Sequence, residues 1–152
     1  MKTKYLFVII LTFGKLAFLC AQSDFYVSQR YAKHFLKGMQ TGRAEVAYFA
    51  IQLSKQDSCI NVKQYGYKNQ QNRIIADSYK IRTYCWNSDL EKYTSSCTRA
   101  PQGGLFKHQH SEGEEWIQFD VENQLVQLKS CGWAKAINRF IEADSSSYFA
   151  QF

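Results

Sequence analysis

Apolar positions change their spacing several times along this chain, and each change marks an element. Residues 5–13 (Tyr-Leu-Phe-Val-Ile-Ile-Leu-Thr-Phe) form an almost unbroken apolar run, with Lys2 and Lys4 before it and the small Ala21 beyond it. Basic, apolar and then small is the order of a secretory signal peptide, here cut before Gln22. Lys15 interrupts the run, which falls short of the ~20 apolar residues a spanning helix needs. The expectation is a signal peptide over 1–21 and a single secreted domain over 22–152, with no stable membrane anchor.

In residues 25–39 the apolar side chains Val27, Tyr31, Ala32, Phe35, Leu36 and Met39 recur at helical spacing, with Arg30, Lys33, His34 and Lys37 on the opposite arc. This predicts an amphipathic helix, capped by Ser23 or Asp24 and ended by Gly38 or Gly42. Residues 44–53 are largely apolar and read as a buried strand. Two runs rich in Ile, Val and Tyr follow at 59–67 and 74–86, split by the polar stretch 68–73, which predicts a hairpin. With its turn centred near Asn72, Cys59 faces Cys85 and Tyr65 faces Tyr79.

The capping-box pattern of Ser88 and Glu91 predicts a short helix. Residues 105–110, 115–121 and 124–131 read as a meander, and 133–143 place Trp133, Ala136, Ile137, Phe140 and Ile141 on one helical arc. Trp116 and Trp133 are assigned to the core. The pattern of helix, strands and helix predicts an α+β fold. Its antiparallel β-sheet, a hairpin plus a meander, carries an N-terminal and a C-terminal helix packed on one face.

Cysteine usage sharpens this picture. Cleavage removes Cys20 and leaves Cys59, Cys85, Cys97 and Cys131, an even set that in a secreted chain predicts two disulfides. Hairpin symmetry pairs Cys59 with Cys85, and elimination pairs Cys97 with Cys131. Loss of Lys2, Lys4 and Lys15 lowers the net charge from +6 to +3. So small an excess gives no grounds for a nucleic-acid partner, whose phosphates are met by many Lys and Arg contacts.

Candidate chemistry is sparse. His108 and His110 are two apart, so on a strand both imidazoles project from one face and can share a metal ion, with Asp120 or Glu112 completing the set. His34 with either of them and a lysine such as Lys55 or Lys63 holds the acid, base and cation that cleave an RNA phosphodiester. The helical spacing, however, turns His34 to the exposed face. Tyr65, Tyr67 and Tyr79 form a candidate aromatic binding surface. No motif identifies a reaction or a cofactor. The reading is therefore a secreted, non-enzymatic binding or effector protein, toxin-like, reproductive or immune in role. Its expected target is an extracellular protein or carbohydrate. A small secreted ribonuclease-type hydrolase and an extracellular metal-binding protein using His108 and His110 are the alternatives.

Overall fold

The computed structural model describes residues 24–42, 46, 48–97, 114–130 and 137–151. The signal-peptide stretch, the expected strand at 105–110 with His108 and His110, Trp133 and Cys131 lie outside the described residues.

Eight strands make up the fold: β1 Phe25–Ser28, β2 Ala50–Gln56, β3 Cys59–Tyr65, β4 Lys80–Asn87, β5 Lys92–Ser96, β6 Glu114–Asp120, β7 Leu125–Lys129 and β8 Ile137–Glu142. Each pairs antiparallel with the next, and β8 returns to β1 to close a barrel. Among the described residues one α-helix, the short α1 (Gln29–Leu36), leaves the end of β1. The expected α+β sheet with two flanking helices is therefore replaced by a closed antiparallel barrel.

Three local misreadings have physical causes. Phe25–Ser28 is extended, with Ser28 capping α1 by accepting from the Tyr31 amide, so the helix starts four residues later than its apolar spacing implied. Gly38, at φ +67°, ends that helix in the left-handed region glycine tolerates. Residues 137–142 form β8 rather than a helix, and at its Phe140–Ile141 part both faces meet apolar surface. Phe140 is fully buried inside the barrel, while Ile141 packs against the cluster outside. A strand apolar on two sides loses its period-two signature. Asn87 Oδ1 accepts from the amides of Asp89 and Leu90, so 88–91 is a tight turn joining β4 to β5, not a helix.

Where only one face is buried, alternation survives. In β3, Ile60, Val62 and Gln64 point inward while Cys59, Asn61 and Lys63 face out. The β3–β4 register pairs Cys59 with Cys85 as expected, and a disulfide joins them. Towards the tip the ladder gives way to the isolated bridge Lys68–Ile74, and Asn72 turns at φ +64°.

The closed sheet separates two apolar clusters. Inside lie Ile51, Leu53, Ile60, Val62, Tyr84, Ile117, Val126, Leu128 and Phe140. Outside, Tyr31 and Ala32 of α1 pack with Phe25, Val27, Phe49 and Ala50, and Tyr148 and Phe149 of the C-terminal segment close over them. Tyr31 donates its hydroxyl proton to the Asn72 carbonyl, tying the helix to the β3–β4 connection. The barrel thus has a hairpin end, with turns at 57–58, 88–91 and 121–124, and a loop end, where α1 and the connection at 66–79 emerge.

Candidate ligand-binding site

At the hairpin end the barrel interior opens into a cavity of about 610 Å3. Its floor is Leu53, Ile60 and Val126, all buried, and its walls include Tyr26 and Phe119. Register explains the convergence. Tyr26 of β1 lies between Ile51 of β2 and Glu142 of β8, Lys55 pairs with Ile60, and Phe119 pairs with Val126. Behind Phe119, Tyr93 meets it edge-on at 6.2 Å and Trp86 packs on Tyr93 at 5.1 Å, which fills the β4–β5 side and holds that wall in place.

Charge is unevenly placed around this mouth. Asp24, Asp120 and Glu142 line it against the single ammonium of Lys55. No ion pair among the described residues engages any of these four. The Asp120 carboxylate accepts from the Asn123 side chain at 2.9 Å and from its amide at 3.1 Å, which holds it below the ordinary carboxylate pKa. Burial, reinforced by Glu142 and Asp24, pushes the Tyr26 phenol up, so it stays a neutral hydrogen-bond donor.

A second polar group lies inside the barrel towards the loop end. Gln64 donates to the Tyr84 hydroxyl at 3.0 Å, Tyr84 donates to Glu115 at 3.0 Å, and Arg82 Nε stands 2.6 Å from the same carboxylate oxygen. Arg82 also donates to the Ser96 carbonyl at 2.8 Å. The Arg82 Nε–H does not point along the line to the carboxylate, so that contact is a charge pair rather than a directed hydrogen bond. Burial and Glu115 together push the Tyr84 phenol far above its ordinary range. Ile51, Val62, Ile117, Leu128 and Phe140, each fully buried, occupy the interior. Gln64, Tyr84 and Glu115 are joined by hydrogen bonds and Arg82 by charge, so the group specifies packing instead of offering a site.

The residues singled out from sequence are dispersed. Asp120 reaches the mouth, but His108 and His110 lie outside the described residues, and no group of three His, Cys, Asp or Glu able to hold a metal occurs among the described ones. His34 is half-buried rather than exposed; it sits on α1 outside the barrel, and its buried Nδ1 has no hydrogen-bond partner among the described residues. Tyr65 does not present a surface: it is buried, packed edge-on against Tyr79 at 5.6 Å and against Phe149 at 5.2 Å. Tyr67 and Tyr79 remain exposed. Trp116 is half-buried on the outer wall, with Lys92 Nζ 4.2 Å above its ring. Cys97 is disulfide-bonded, and its expected partner Cys131 lies outside the described residues. Sequence reading missed Tyr26, Phe119 and Glu142, and singled out Asp24 only as a helix cap and Lys55 only as a cation for phosphodiester cleavage. The available signal was the alternation in β6 and the carboxylates placed beside turns.

The fold and its cavity define the chain as an up-and-down barrel of eight antiparallel strands with one end open to a pocket. No family model, no curated protein and no solved structure matches it.

Proposed function

We propose that this is a secreted, non-enzymatic binding protein that holds one small amphiphilic molecule in the mouth of its barrel. The observation that carries the reading is the cavity. Closed barrels of eight strands are just wide enough to be filled by side chains or to hold a single small ligand. Here the interior is filled at mid-height and open at the hairpin end. A volume of about 610 Å3 lies within the ~300–1,000 Å3 of small-molecule sites, and a lining shared about equally between apolar and polar surface suits an amphiphilic ligand.

Other features agree. The outer wall carries Gln52, Ser54, Gln56, Asn61, Lys63, Gln118 and Arg139. Membrane-spanning barrels instead present an apolar band outward, on strands longer than these. A signal-peptide pattern at 1–21 supports an extracellular ligand.

The test is thermal shift and titration calorimetry of the purified mature protein with a panel of small aromatic and short-chain compounds of each charge type. A ligand that binds only the folded state raises Tm. At least one class should bind at micromolar strength, and Leu125→Trp, which narrows the mouth, should weaken it. Absence of binding across the panel, or binding indifferent to that substitution, overturns the reading.

A further inference from the structure

Resting on the mouth as the binding site, we infer that its ligand is an organic cation: a protonated amine carried on an aromatic or aliphatic body. The cavity and its walls make the site, and the charges around it select the ligand. Tyr26 and Phe119 offer ring faces and edges to an apolar body, above a floor of Leu53, Ile60 and Val126. An ammonium lying against such rings gains a cation–π attraction, larger where water is excluded.

The carboxylates are arranged for the same end. Asp24 and Tyr26 follow one another along the inward face of β1, and Glu142 pairs with Tyr26 across the β1–β8 seam. Asp120 stands on the opposite side, one residue beyond Phe119. None of the three is in a salt bridge among the described residues, and of them Asp120 alone feels a nearby cation, the Arg139 guanidinium. The surroundings extend the field. Asp24, Asp57, Asp89, Glu91, Asp120, Glu122 and Glu142 all lie at the hairpin end, seven of the chain's 13 acidic residues, whereas Lys55 and Lys92 are the cations on its turns and strand ends. A chain of net positive charge thus carries its acid at the open pole. A cleft lined by one sign of charge with low-dielectric walls focuses the field and concentrates counter-charged ligands. A bare metal ion is the weaker candidate, because no three such ligands cluster among the described residues.

Lys55 is the one ammonium on the lining. It competes with a cationic ligand for the same field, which makes it the informative position to change.

Calorimetry with three compounds of one shape tests the inference: phenethylamine as the cation, phenethyl alcohol as its neutral counterpart and phenylpropanoate as the anion. The amine should bind about tenfold or more tighter than the alcohol, with the anion weakest. Asp24→Asn combined with Glu142→Gln should weaken the amine about tenfold and leave the alcohol unchanged. Both positions are exposed, so Tm should hold. Lys55→Gln should strengthen the amine and not the alcohol. If the alcohol binds as tightly as the amine, or Lys55→Gln leaves the amine's affinity unchanged, the cation assignment is overturned while the mouth stands as a site. If none of the three binds and the wider panel is also silent, the mouth reading itself fails.

Discussion

The two ends of the barrel treat their polar groups in opposite ways. Towards the loop end, Gln64, Tyr84, Glu115 and Arg82 sit inside the sheet and are linked to each other within 3.0 Å, by hydrogen bonds or by charge. At the hairpin end, Asp24, Asp120 and Glu142 surround a cavity with no salt bridge among the described residues. A buried polar group left unpaired costs about 1–3 kcal/mol, and more if charged. A carboxylate at a wet rim escapes that cost. Closed networks therefore belong where the barrel is filled, and unpaired charge is tolerable only where it opens. One end serves the fold and the other is available to a ligand.

The widest separation between the ends should appear in a pair of phenylalanines. Phe140, fully buried, should lose about 3–5 kcal/mol on replacement by Ala in urea unfolding. Phe119→Ala at the mouth wall, half-buried, should lose well under half of that yet abolish ligand binding. Equal losses at both positions would erase the distinction between filled interior and open mouth.

The next effect concerns the cross-link. Cys59–Cys85 closes a separation of 26 residues on the outer wall near the mouth. The Cys59→Ala, Cys85→Ala double variant should lose about 3 kcal/mol on the chain-entropy account. Peptide mapping of the unreduced protein should also return Cys97 linked to Cys131. Cys97 follows the end of β5, and residue 130 follows the end of β7, at the same end of the barrel. A Cys59–Cys97 peptide would contradict both pairings.

Glu115→Leu should cost about 3 kcal/mol, near the lower limit for breaking a buried pair, since Arg82 keeps 27% of its side chain exposed and can turn to water. Glu115→Gln, which retains an acceptor for Tyr84, should cost less. If both variants matched wild type, the inner network would be incidental.

The smallest effects are in pH. Tyr84 and Tyr31 have phenol pKa values raised by burial from 10.0. Their contribution is complete below about pH 10 and is lost as pH rises towards the folded values, so unfolding should be promoted above pH 10 and less so in Tyr84→Phe. Asp120 has the opposite sign. Its pKa is lowered from 3.8 by the Asn123 hydrogen bonds, so its contribution is present above that value and fades as pH falls below it. An NMR titration should show Asp120 returning towards 3.8 in Asn123→Ala.

How much of this was legible depends on what each residue's signal rested on. Local and symmetric signals survived. The facing of Cys59 with Cys85, the turn at Asn72 and the helix stop at Gly38 all follow from short-range chain geometry. Strand β6 could be read because only one of its faces is buried. The mouth was illegible because its parts come from β1, β2, β3, β6, β7 and β8, and no local spacing links Asp24 to Asp120 or Tyr26 to Phe119.

What the amino-acid sequence determined by itself is the β3–β4 and β6–β7 strands, the turns within those two pairs, and the disulfide that staples β3 to β4. Tertiary structure alone decided whether the sheet closes. Phe25–Ser28 and the Phe140–Ile141 part of β8 meet apolar surface on both faces, because α1 and the C-terminal segment cover the outside of their seam. Their periodicity is as compatible with helix as with strand. Only the pairing of β1 with β8, which satisfies both backbones and leaves neither edge open, turns them into the closing strands and creates an inside for the carboxylates to surround.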